Sequence, residues 1–123
     1  MKKINRIIIL FLIMTFLCVN LCFAYHVRIT PVNEENYRQM TLGETVTFSA
    51  EGMRYDKAND KLVLTNENLT AITWEFDKTA LEEVFRTEYA ITLKAIKKKN
   101  TYLRIKAELN GHKVEETVGV VIK

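Results

Sequence analysis

From Tyr25 onward the chain alternates apolar and polar residues with a period of two, and threonine, valine and isoleucine supply most of the pattern. That periodicity belongs to strands with one buried face, in which successive side chains point to opposite sides. It predicts an all-β domain with antiparallel pairing. The clearest case is Thr45-Val46-Thr47-Phe48-Ser49-Ala50, which sets Val46, Phe48 and Ala50 on one face and hydroxyls on the other.

The pattern predicts six or seven strands. The first covers about 26–31, with Val27 and Ile29 inward, and stops at Pro31, which has no amide hydrogen for a ladder. A polar connection from Val32 to Met40 follows, and the second strand runs from Thr45 until Gly52 ends it. Between Gly52 and Asn68 lies a polar excursion in which Leu62-Val63-Leu64 suggests a small hairpin or extra edge strand. A strand over about 70–76 puts Ile72, Trp74 and Phe76 inward. After it, Leu81, Val84 and Phe85 fit either a helical turn capped by Asp77 or a short strand. Strands over about 89–96, 101–109 and 112–122 complete the set. The last two are joined by Asn110-Gly111, a dipeptide suited to the positive φ angles of a type I′ turn. On the final strand Glu116 shares the parity of Val118, Val120 and Ile122, which predicts a bulge or an exposed edge near Glu115-Glu116.

The first 24 residues have a different character. Lys2, Lys3 and Arg6 precede an apolar run from Ile7 to Val19, and Cys22-Phe23-Ala24 ends in a small residue. A basic region, an apolar stretch of about 7–15 residues and a small residue before the cut are the marks of a secretory signal peptide. Residues 1–24 are therefore read as the leader and 25–123 as one domain, secreted or held in the periplasm or at the cell surface. Two readings compete: an uncleaved anchor, which would need about 20 apolar residues where the run of 13 stops at Asn20, and lipidation on Cys22, which the preceding Asn20 and Leu21 fit badly.

Removing the leader changes the charge argument. Of 18 basic residues three lie in it, while all 15 acidic residues follow it, so the domain carries fifteen of each. Nucleic acid and anionic membranes need a one-sided basic field, so nucleic acid is excluded as a partner and the membrane enters only through a retained leader. Both cysteines, Cys18 and Cys22, fall in the leader, which leaves no disulfide, thiol nucleophile or thiolate ligand in the domain. Serine occurs once, at Ser49 in mid-strand, where no strained turn presents it as a nucleophile. The sequence offers no catalytic constellation and calls for no cofactor.

Short strands, turn signals and a tryptophan on the third strand point to an aligned two-sheet sandwich. Within that class the sequence resembles the bacterial Ig-like (Big-type) domains of surface and exported proteins. The resemblance rests on Val27-Arg28-Ile29-Thr30-Pro31, on Leu42-Gly43-Glu44-Thr45-Val46-Thr47-Phe48-Ser49-Ala50, and on Ile72-Thr73-Trp74. It continues through Leu103-Arg104-Ile105-Lys106-Ala107 to Val118-Gly119-Val120-Val121-Ile122. It implies an Ig-like antiparallel β-sandwich of about seven strands with a binding, adhesive or structural role. The excursion at 52–68 is longer than the family's usual connection there, and Lys97-Lys98-Lys99-Asn100 stands where a glycine turn is common.

The long connection is the expected binding site, because loops on a rigid scaffold are where contact residues concentrate. Arg54, Tyr55, Asp56, Asn59, Asp60, Leu62 and Leu64 are the candidates, for another envelope or extracellular protein or a polysaccharide. A small protease inhibitor on the same scaffold is the alternative. Lys97, Lys98 and Lys99 form a candidate patch for an anionic polymer or headgroup, set against the plainer reading of a solvated turn. Asp56, Asn59, Asp60 and Glu67 supply oxygens but not the order of a calcium loop. His26 and His112, with Glu115, would make a weak transition-metal set if the first and last strands lay side by side; no metal site is assigned. Trp74 is read as core, Asn68-Leu69-Thr70 as a chance sequon, and an edge strand as a route to self-association.

Overall fold

The computed structural model describes residues 25–65 and 69–123 as nine strands. The leader and its cleavage site, like Glu67 and Asn68, lie outside the described residues. The strands are β1 (Tyr25–Thr30), β2 (Tyr37–Met40), β3 (Thr45–Asp56), β4 (Lys61–Leu64), β5 (Leu69–Phe76), β6 (Leu81–Arg86), β7 (Ala90–Ala95), β8 (Asn100–Leu109) and β9 (His112–Ile122). One sheet has the order β1-β3-β7-β6, with β4 added beside β3, and the other has the order β2-β9-β8-β5. With β4 set aside, these are the four-strand and three-strand sheets of an Ig constant-type sandwich, plus the short β2 running parallel to β9. The fold is the expected Ig-like β-sandwich.

The inward residues of both sheets meet in one core. Val27 and Ile29, Val46, Phe48 and Ala50, and Ile91, Leu93 and Ala95 come from the first sheet; Trp74, Leu103, Ile105, Leu109, Val118, Val120 and Ile122 from the second. No polar or charged residue is fully buried among the described residues, so the core's stabilisation is apolar. Trp74 is 6% exposed and faces inward opposite Ile105, as its parity required.

Several expectations are corrected. Gly52 does not end the second strand: β3 continues through it, pairing with β1 as far as Arg54 and with β4 as far as Asp56. The Gly52 carbonyl also accepts the Thr65 amide at 2.8 Å, which closes the connection back onto the strand. The polar connection at 32–40 contains β2, whose Met40 is buried. A β-carbon at Gly119 would stand 3.3 Å from the Tyr37 Cβ, so the glycine permits β2 to lie this close. The segment after Asp77 is a strand and not a helical turn, with a register shift between Glu83 and Phe85.

On β5 a shift between Thr70 and Thr73, with Ala71 at φ 54°, leaves Ile72 half-buried. The β8–β9 ladder is unbroken from Asn100↔Val121 to Leu109↔His112, so no bulge forms near Glu115-Glu116. The exposed edge does form, because β2 covers only Gly119–Ile122. At that open edge Glu116 lies opposite the core residue Ile105 yet stays partly exposed, and its carboxylate accepts the Asn36 amide at 3.2 Å.

The sandwich has two distinct ends. At one stand the start of β1, the β3–β4 turn at 57–60 and the Asn110-Gly111 turn, where both residues have positive φ. At the other are the turns at 41–44, 77–80 and 96–99 and the C-terminal Lys123.

Candidate functional site

The seven candidates of the long connection all stand on one hairpin. β3 and β4 pair as Met53↔Leu64, Arg54↔Val63, Tyr55↔Leu62 and Asp56↔Lys61, with a four-residue turn at 57–60. Opposed residues share a face, so Met53, Tyr55, Leu62 and Leu64 lie together. Met53 pairs with His26 in the β1 ladder, which fixes this as the outward face of the sheet. Tyr55, Leu62 and Leu64 are 39, 48 and 63% exposed, while Met53 is buried and stands apart from the main core. The sequence reading missed Met53; continuing the alternation through Gly52 would have placed it with Tyr55.

The turn satisfies its own polar groups. The Asp56 carboxylate accepts the Asn59 side-chain amide at 2.9 Å and the Ala58 amide at 3.0 Å. The bond from Asn59 is the main reason the Asp56 carboxyl titrates below its ordinary value. The Tyr55 hydroxyl donates to Asp60, which raises its pKa, with smaller contributions from desolvation and from the charges of Asp60 and Asp56. These bonds turn the loop's oxygens toward its own donors and away from a shared centre. Among the described residues no group of three or more His, Cys, Asp or Glu is placed to hold a metal ion.

The suggested His26–His112 approach is corrected by the same alternation. His26 points outward opposite Met53, and Tyr25 takes the inward place, stacking on His112 with ring centroids 4.9 Å apart and planes at 22°.

The lysine patch lies at the other end of the sandwich and is divided. Lys97 and Lys98 are exposed, but the Lys99 ammonium stands 2.8 Å from Asp77 Oδ2. Asp77 Oδ1 accepts the Thr79 hydroxyl at 2.6 Å and the Thr79 amide at 3.0 Å, so one carboxylate ties β8 to the β5–β6 turn. Lys99, followed by the Thr79 bonds, holds the Asp77 carboxyl well below the usual carboxylate range. Lys99 therefore belongs to the fold's fastening, and only two lysines remain for an anionic ligand.

Elsewhere outward charges pair with one another, and large apolar side chains are also exposed at Val84 and Phe85 on β6 (55 and 62%) and at Leu42, Ile96 and Tyr102. On the outward face of the second sheet Glu75 lies 3.6 Å from Arg104 and 3.2 Å from Lys106, and Arg104 donates to the Thr117 hydroxyl at 2.9 Å. A groove of about 650 Å³ is lined by Ala71, Ala107 and Val114 with Lys106, Glu108, Lys113 and Glu115. Its charges oppose one another across β8 and β9, Lys106 facing Glu115 and Glu108 facing Lys113, so no charge is in surplus. A smaller slot of about 370 Å³ opens between the β5 and β6 edges, over Trp74, Phe76, Leu81 and Ile96. The Trp74 indole N–H is buried there without an acceptor among the described residues.

No protein-family model matches this sequence, and no curated protein matches it as a relative.

Proposed function

We propose that this chain is an exported, non-enzymatic Ig-like binding module of the Big type, acting at the cell surface or in the periplasm. Its β3–β4 hairpin is the contact surface for another envelope or extracellular macromolecule.

The observation that carries this reading is the exposed cluster of Tyr55, Leu62 and Leu64 on two paired strands. An aromatic ring beside two aliphatic side chains is the composition of an interface centre, and Asp60, bonded to the Tyr55 hydroxyl, and the exposed turn residue Lys57 supply polar groups at its margin. Strand pairing fixes the side chains before a partner arrives, which lowers the ordering cost of association. The sequence order of the strands supports the reading too. β4 is an addition to the seven-strand plan, placed where it extends β3 without contributing a buried side chain to the core.

The test is affinity capture from envelope extracts with the wild-type chain and with a Leu62→Ser, Leu64→Ser double variant. Both positions are exposed, so the variant should keep its stability and lose the captured partner. A partner retained equally by both baits would contradict the assignment of the hairpin.

A further inference from the structure

We infer that while residues 1–24 remain attached and sit in a bilayer, the β3–β4 hairpin lies against the lipid headgroup layer, so that the contact surface is released only by cleavage of the leader. This rests on the proposed reading of the hairpin as the contact surface and of the first 24 residues as an export leader.

The register of β1 carries the argument. Tyr25 pairs with Arg54, two residues before β3 ends at Asp56. β1 then runs away from the hairpin turn, antiparallel to β3. The chain therefore joins the sandwich at the hairpin's own end, and the lysine patch and the C-terminus lie at the opposite end. Between Val19, the last residue of the apolar run, and Tyr25 there are five residues. Fully extended, five residues span at most about 18 Å. Asp56 stands about 7 Å beyond the level of Tyr25, at a strand rise of about 3.4 Å per residue, and the turn extends further. A leader in the hydrocarbon layer thus keeps the hairpin within reach of the interface.

The hairpin is also made of what that layer accepts. Tyrosine is at home at the membrane–water boundary, leucine just beneath it, and Lys or Arg beside anionic headgroups. Tyr55, Leu62 and Leu64 share one face; Lys57 stands in the turn at its end, and Arg54 and Lys61 lie on the hairpin's other face. The acidic residues of the same stretch, Asp56 and Asp60, are engaged by Asn59 and Tyr55. Three cations against two acids leave the hairpin a net charge of +1, on a domain whose basic and acidic residues balance as a whole.

The experiment uses the full chain with Cys18→Ser and Cys22→Ser, reconstituted into vesicles of phosphatidylethanolamine and phosphatidylglycerol. An environment-sensitive fluorophore is attached at Leu62→Cys or, as the distant reference, at Lys97→Cys. On adding the vesicles the label at 62 should shift to the blue and be quenched by lipids brominated on their acyl chains, several-fold more than the label at 97. Labels at 62 and 97 that respond alike on chains that float with the vesicles would overturn the inference and leave the hairpin's role toward a protein partner standing. Chains that do not float with the vesicles would overturn it by removing the leader reading. A shift at 62 that grows with protein concentration and ignores lipid would overturn it in favour of a second copy of the chain.

Discussion

The two ends of the sandwich solve the problem of exposed connections differently. At the far end the turns are fastened to the body: Asp77 joins β5–β6 to β8 through Lys99 and Thr79, Ile96 donates to the Ala80 carbonyl at 2.9 Å, and Lys123 donates to Met40 at 3.0 Å. At the hairpin end the side chains of Tyr55, Asp56, Asn59 and Asp60 bond within the hairpin, and three large apolar side chains stay exposed together on two paired strands, where the far end exposes Leu42 and Ile96 in separate turns. The far end spends its polar groups on holding strands together. The hairpin leaves its side chains to the outside, and that difference separates a structural turn from a surface suited to binding.

The largest expected effect tests the fastened half. Trp74→Ala should cost about 3–5 kcal/mol of unfolding free energy, read by denaturant titration, since removing a buried aromatic leaves a cavity the sheets cannot close. An unchanged midpoint would break the assignment of Trp74 to the core.

Asp77→Asn comes next. It removes the charge that Lys99 meets and should lower the denaturation midpoint, whereas Asp60→Asn on the hairpin should leave it in place. Acid acts at the same point. The Asp77 carboxyl is depressed in the folded state, so its contribution is full above the unfolded value, near 3.8. It is lost as pH falls from there through the lower folded value, because the unfolded chain takes up the proton first. Wild type should thus lose stability more steeply than Asp77→Asn as pH is lowered below 4 or so. Parallel curves would show that the fastening contributes nothing.

The hairpin should respond in a different way. Asp60→Asn should lower the Tyr55 pKa toward the ordinary tyrosine value, followed by NMR titration of the ring, with stability unaltered. The smallest effects belong to exposed positions: Leu62→Ser, Leu64→Ser, Lys97→Ser and Lys98→Ser should each stay within about half a kcal/mol of wild type. A larger loss at Leu62 or Leu64 would make the hairpin part of the core and erase the contrast.

Strong alternation made most of this fold readable. The inward sets on β3, β7 and β8, the core position of Trp74 and the Asn110-Gly111 turn follow from side-chain parity and turn chemistry alone. β2 was illegible because four residues carry no period, and its place depends on Gly119, more than 75 residues away in sequence, admitting Tyr37. β6 was ambiguous because its register shift at Val84 replaces strict alternation with a spacing that also suits a helix. Gly52 read as a stop because glycine weakens isolated strands, but neighbours on both sides hold it in the ladder.

The candidate site was legible as a list of residues and not as an arrangement. That Tyr55 faces Leu62, and that Asp60 takes the Tyr55 hydroxyl, follows only from the pairing. The lysine patch is divided for the converse reason. Its third member pairs with a residue 22 positions earlier, and no local pattern announces such a contact.

The most direct measurement is site-specific photocrosslinking in the cells that make the protein, with a benzophenone amino acid placed at Leu62 in one chain and at Lys98 in another. The account predicts a discrete crosslinked partner from position 62 and none from position 98. A partner captured only from position 98, or equally from both, would contradict the assignment of binding to the hairpin.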